Sequence, residues 1–262
     1  MNLECKAWYL THRGKVRQGN EDSLLLCDKV ISQENNGVVC YWESRSNIPF
    51  CIAVADGMGG HKAGERASEF CCEFLKTVVV DSEEQLQEIL RELNKAVFLE
   101  SVKDSEFWGM GTTVAGLALA SEGLFAFNVG DSRVYRVQDY QFLNQITKDH
   151  SPSQALENVG GFLNTNSDSL SSNTLTQAIG GSMELKEISP STYPCQFREK
   201  AAYLLCTDGL SDMMGLEDME KALLAETPEL MVNALFDGAM KAGGRDNISI
   251  IYVEMEKGVK EK

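Results

Sequence analysis

Hydrophobic and polar positions follow two regimes along the chain. Residues 3–10, 23–28, 37–42 and 50–55 are short runs rich in β-branched and aromatic side chains, separated by turn signals such as Asn35-Asn36-Gly37, so they predict strands. From Ala63 the period changes. Ala67, Phe70, Cys71, Phe74, Leu75 and Val78 recur at three- and four-residue spacings, the stripe of an amphipathic helix. Leu86, Ile89, Leu90, Leu93, Val97 and Val102 repeat that signal after Asp81-Ser82, which supplies an N-cap.

Strands resume at residues 112–120, 124–130, 132–137 and 140–147, joined by tight turns at Ser121–Gly123 and Gln138-Asp139 that favour antiparallel pairing. Residues 151–182 are rich in Ser, Asn and Gly and read as a functional loop or flap. Residues 201–209 read as a buried strand, 216–224 and 228–241 as helices, with Pro228 suited to a helix start, and 248–255 as a closing strand. This order predicts a single α+β domain of layered sheet and helix over residues 1–254, followed by a charged tail, 255–262. No internal repeat interrupts it.

Composition narrows the functional classes. With 262 residues, 43% hydrophobic and 24% charged, the chain has globular proportions, and no apolar run approaches the ~20 residues of a bilayer span. Glu4 and Lys6 interrupt the only apolar stretch of the N-terminus, which does not read as a signal peptide, so a soluble cytoplasmic protein without membrane partners is expected. The net charge of −15, from 24 Lys+Arg against 39 Asp+Glu, argues against nucleic-acid binding. Eight cysteines sit mostly inside apolar runs, without a CxxC pair, and only three histidines are present; reduced thiols are expected and a zinc site has little support.

Four aspartates stand where a strongly apolar strand meets a glycine-marked turn: Asp56, Asp131, Asp208 and Asp246. Carboxylates gathered at one sheet edge repel one another unless a cation lies between them, and oxygen donors without a usable His or Cys set select Mg²⁺ or Mn²⁺. Gly57 and Gly209 each follow such an aspartate, and a missing side chain lets a backbone carbonyl approach an ion. Taken singly, each Asp-Gly is also an ordinary turn pair. Arg17, followed by Glu21 and Asp22, adds a planar fork suited to phosphate and two carboxylates able to order water. No P-loop, GxGxxG after a strand, GxSxG or HExxH motif is present, and no cysteine stands in a CxxxxxR phosphate loop.

The segments RQGNED, ADGMGGHKAGE, GMGTTV, NVGDSRVYR, TKDHS, LLCTDGLSDM and GRDNISI follow one another in an order and spacing that resembles the type 2C metal-dependent serine/threonine protein phosphatases, especially the stand-alone bacterial members. The resemblance runs from about residue 8 to residue 254. It implies a four-layer α-β-β-α sandwich of two antiparallel sheets flanked by helix pairs. It also implies hydrolysis of phosphoserine and phosphothreonine by a hydroxide bridging two Mn²⁺ or Mg²⁺ ions.

By that resemblance Asp56 bridges both ions, Gly57 offers its carbonyl to one, and Asp208 and Asp246 hold the other. Glu21 and Asp22 order metal waters, Arg17 clamps the substrate phosphate, and Asp131 with Asp208 holds a third, weaker ion. The implied partners are phosphorylated proteins, substrates of a Ser/Thr kinase, and a monomer is expected. Two other readings stay open at this point: a hydrolase of another phosphoester, and a catalytically weak relative that binds phosphoproteins.

Two departures from the family stand out. Where eukaryotic members carry a histidine after the Asp-Gly, this chain has Met58, and His61 lies three residues further on. The general-acid role is not carried over to His61, and metal-associated water is the expected proton source. The region 151–182 lacks the Pro-Arg-Asn stretch of many bacterial relatives, which puts substrate preference, not the metal core, in question.

Overall fold

The computed structural model describes residues 3–46, 49–152, 154, 175–196 and 199–258. Strands β1 (Leu3–His12), β2 (Asp22–Leu26), β3 (Lys29–Ile31), β4 (Cys40–Ser46) and β5 (Phe50–Met58) precede helices α1 (His61–Thr77) and α2 (Glu83–Ser101). Then come β6 (Gly111–Thr112), β7 (Val114–Leu119), β8 (Leu124–Val129), β9 (Arg133–Gln138), β10 (Phe142–Gln145), β11 (Ile179–Gly180), β12 (Ser191–Cys195) and β13 (Lys200–Cys206). Helices α3 (Asp208–Ser211), α4 (Leu216–Ala222) and α5 (Pro228–Lys241) lead into the last strand, β14 (Ile248–Lys257).

All strand pairings are antiparallel. One sheet has six strands in the order β10-β9-β13-β14-β1-β4; the other has eight, β11-β6-β5-β7-β8-β12, with β2 and β3 attached to β5. Three apolar clusters separate four layers. Cys51, Ala53 and Ala55 of β5 face α1 and α2, whereas Ile52 and Val54 face Tyr203, Leu205, Ile251 and Val253 across the gap between the sheets. Ala202, Leu204 and Cys206 of β13 look the other way, onto Val232, Leu235 and Ala239 of α5. The central strands are therefore buried on both faces, which is why their sequences are continuous apolar runs.

Helix starts follow local chemistry. Ser82 Oγ accepts from Gln85 N–H at 3.2 Å, and Thr227 Oγ1 accepts from Leu230 N–H at 3.3 Å just ahead of Pro228.

Several boundaries differ from the pattern reading. The run 112–120 is two strands, because at Thr113, still opposite Asp56 in the β5 register, the Asp56 N–H donates to the side-chain Oγ1 at 3.3 Å, while Thr113 N–H keeps its bond to Asp56 O at 2.9 Å. The expected strand 37–42 is shifted to Cys40–Ser46, where it pairs with β1. The expected charged tail from residue 255 begins inside β14: Met255 is fully buried between the sheets and Lys257 N–H donates to Glu199 O at 2.9 Å. Most of the expected flap, residues 153 and 155–174, lies outside the described residues; at its borders Thr176 N–H donates to His150 O at 2.8 Å.

All eight cysteines are unpaired; Cys5, Cys51, Cys71, Cys72 and Cys206 are buried. Among the described residues no helix is long and apolar enough to cross a membrane.

Candidate active site

The apolar run of β5 ends at Asp56, that of β13 at Thr207-Asp208, and Asp246 stands just ahead of β14, so strands from both sheets deliver carboxylates to one end of the sandwich. Asp131 joins them from the connection between β8 and β9, which crosses from one sheet to the other. Arg17, Glu21, Asp56, Gly57, Asp131, Asp208 and Asp246 line a single cleft of about 370 Å³, completed by Met58, Gly59, Gly60, Thr113, Leu175 and Asn247. Asp22, opposite Asp56 in the β2–β5 register and 1% exposed, lies beneath it.

The backbone around these groups is tightly held. Asp56 N–H donates to Thr113 Oγ1 at 3.3 Å, and Asp56 O accepts from Thr112 Oγ1 at 2.8 Å. Thr113 Oγ1 also hydrogen-bonds Ser132 Oγ at 2.7 Å, tying Asp56 to the loop of Asp131. Gly57 N–H donates to Glu21 O at 3.1 Å, and a Cβ on Gly57 would collide with the carbonyls of Gly64 and Glu21. Gly209 is required for a different reason from the carbonyl approach expected of it: it packs on the backbone of Asn247, where a Cβ would collide with the carbonyl oxygen.

Charge is crowded here. Burial, reinforced by Asp22, Asp208 and Asp246, pushes Asp56 well above the usual carboxylate range. Burial and then Asp131 and Asp246 push Asp208 up to about 8. Burial likewise lifts Asp22 to about 7, against the hydrogen bonds it accepts, including that from Thr207 Oγ1 at 2.9 Å. Asp131 rises to about 6 through burial and the neighbouring Asp149. The one opposing cation lining the cleft among the described residues is Arg17, whose Nη2 donates to Asp246 Oδ2 at 2.6 Å.

A hard divalent cation suits this donor set. The ligands available are all oxygens, and the buried Asp208 Oδ1 accepts no hydrogen bond within the protein. Among the described residues no three acidic, imidazole or thiol groups already form a closed coordination set; Asp246 is instead turned onto Arg17 and onto Asn247 N–H, 2.8 Å from its Oδ1.

Pattern reading passed over Asn247, Thr207 and Asp212. Asn247 Oδ1 accepts from Glu21 N–H at 2.8 Å while its Nδ2 donates to Arg13 O at 3.1 Å and Gly19 O at 2.9 Å, clamping the loop that carries Arg17. Thr207 anchors Asp22. Asp212 stands one helical turn after Asp208, a spacing visible in the sequence, and burial raises its carboxyl above the usual range.

Comparison with known proteins gives a consistent outcome. The family model described as Protein phosphatase 2C matches residues 35–241. Serine/threonine phosphatase stp of Listeria monocytogenes serotype 4b is 34% identical over 95% of this chain and 96% of its own length. Serine/threonine protein phosphatase PstP of Mycobacterium tuberculosis is 31% identical over 93% of this chain, which spans 43% of that longer protein. Among solved structures, the catalytic domain of PstP in complex with two manganese ions superposes with a TM-score of 0.74 at 28% identity, covering 97% of this chain and 99% of that one.

Proposed function

Given that this chain is a serine/threonine protein phosphatase of the protein phosphatase 2C family, we propose that its reaction is metal-assisted attack of water on a phosphoserine or phosphothreonine ester in the cleft of Asp56, Asp208 and Asp246. The observation that carries this reading is the convergence of these carboxylates with Asp131 and Arg17 on one cleft of about 370 Å³. The manganese complex of PstP supports the choice of ion.

Asp56, Asp208, Asp246 and the Gly57 carbonyl would hold two Mn²⁺ or Mg²⁺ ions, with Asp131 contributing to a third. Bound cations supply Lewis-acid stabilisation of the phosphoryl oxygens and make water a competent nucleophile near neutral pH. Arg17, its side chain 53% exposed, swings between the Asp246 carboxylate and the incoming phosphate dianion, for which its planar fork is suited. Glu21, whose main chain is fixed by Asn247, and Asp22, buried beside Asp56, order the surrounding water. Met58 occupies the wall where a histidine acid would stand in eukaryotic relatives, so this chain supplies no imidazole at that position.

The discriminating experiment measures Mn²⁺-dependent turnover of p-nitrophenyl phosphate and of a phosphothreonine peptide. Turnover of both is expected. Inactivity on both with excess Mn²⁺ overturns the reading, and turnover of the aryl ester alone redirects it to a small phosphoester.

A further inference from the structure

One wall of the cleft continues into an apolar rim. Gly59, which lines the cleft, lies so close to the next segment that a Cβ on it would stand 3.2 Å from Met110 Cα and 3.5 Å from Gly109 O. Gly109 in turn lies under Met183, whose Cε would be 3.6 Å from a Cβ there, and a Cβ on Gly181 would be 3.7 Å from Sδ of Met58, another cleft residue. Trp108 is therefore two residues of chain from the wall.

The side chains of this segment divide sharply. Phe107 packs against the cluster under α1 and α2, and Met110 is 1% exposed, whereas Trp108 is 59% and Met183 69% exposed. An exposed ion pair of 3.4 Å between Lys62 Nζ and Glu106 Oε2 links the segment to the start of α1, at the cleft mouth. Between the packed Phe107 and the buried Met110, the Trp108 side chain is thus left facing water. Tryptophan offers much apolar area for few rotatable bonds, and methionine adapts its shape to what it touches. Two exposed apolar side chains beside a reaction site offer a recognition surface.

We propose that Trp108, with Met183, is the specificity-determining surface for the stretch of protein substrate flanking the phosphorylated residue, and that it selects an apolar or aromatic side chain there. The proposal rests on the phosphatase reading above. Continuity with the cleft names the occupant: the chain that carries the phosphorylated residue into the cleft passes the segment packed on Gly59.

The test uses phosphothreonine peptides of equal charge in which Leu or Phe replaces Ser at each of four positions on either side, read as kcat/KM with Mn²⁺. The wild-type protein is expected to favour an apolar residue at one or two positions by about tenfold, the worth of a buried apolar side chain. Trp108→Ala removes that preference, Trp108→Phe keeps most of it, Met183→Ser repeats the selective loss, and turnover of p-nitrophenyl phosphate stays unchanged throughout.

A wild-type protein active on every peptide without preference overturns the proposal alone. So does a preference that survives Trp108→Ala, an equal loss on peptide and aryl ester in both the Trp108→Ala and Met183→Ser variants, or an effect of Trp108→Ala confined to self-association. Inactivity of the wild-type protein on all substrates overturns the phosphatase reading and this proposal with it.

Discussion

Arg17 and Asp246 are joined by an ion pair in which the guanidinium Nη2 lies 2.6 Å from Asp246 Oδ2, tying a loop near the N-terminus to the lead-in of the last strand. On the proposed reading the contact gives Arg17 two competing tasks. While Arg17 holds Asp246, that carboxylate oxygen is not free for a cation, and the guanidinium is not free for phosphate.

Arg17→Ala should therefore separate the two. Loss of a charged hydrogen bond to phosphate, worth about 1.5–3 kcal/mol, is expected to lower kcat/KM by about 10–100-fold. The same substitution is expected to tighten Mn²⁺ binding, because Asp246 loses its competitor. Calorimetric titration with Mn²⁺ decides it; weaker binding in the variant would show that Arg17 does not compete for the carboxylate.

Asp208→Asn should show opposite signs for activity and stability. Turnover is expected to fall about a hundredfold or more through loss of a metal donor. In chelator at pH 8 the variant is expected to melt higher than wild type, since one of a set of mutually repelling buried carboxyls has become a neutral amide of the same shape. A lower melting temperature in chelator would count against charge crowding as a source of instability.

The pH dependence of the metal-free protein follows from the same groups. Asp131, Asp22 and Asp208 have folded-state values of about 6, 7 and 8, all raised mainly by burial. Between the unfolded value near ~3.9 and these values the folded state binds more protons, so their contribution to stability is full below about pH 4 and is lost as pH rises to 8. Thermal melts in chelator should fall steadily from pH 5 to pH 8, and excess Mn²⁺ should abolish that fall. A flat profile in chelator would refute the crowding.

Asn247→Ala removes three hydrogen bonds to the loop of Arg17. Their combined worth is about 2 kcal/mol or more, with buried polar groups left unpaired. The expected result is a lower melting temperature together with a raised KM for p-nitrophenyl phosphate; Arg17 held by other means would leave KM unchanged.

The sequence shows those parts of the fold whose signals are local. Ser82, Pro228 and the stripe from Ala67 to Leu75 mark their helices because caps and periodicity are properties of a few adjacent residues. Strand β12, by contrast, carries Pro194 and, among the described residues, pairs only with β8 at the sheet edge, so its sequence lacks a strand pattern. Thr113 resembles any strand threonine, and only the bond its side chain accepts from Asp56 N–H marks the break between β6 and β7. The same distinction governs the site. Asp56, Asp131, Asp208 and Asp246 stand out by their glycine-marked strand ends, whereas Asn247 and Thr207 acquire their roles from partners 226 and 185 residues away.

The carboxylates of the cleft are divided between the sheets: Asp56 ends the apolar run of β5 in one, while Asp208 and Asp246 flank β13 and β14 in the other. A folding intermediate with only one mature sheet owns only part of the donor set. On the proposed reading, tight metal binding would arise late, when the two sheets have mated, and the ion would act as a rivet between them as well as a reagent. Metal uptake during refolding would thus report assembly of the sandwich itself, and a chain that mispacks its sheets is inert before it can reach any substrate.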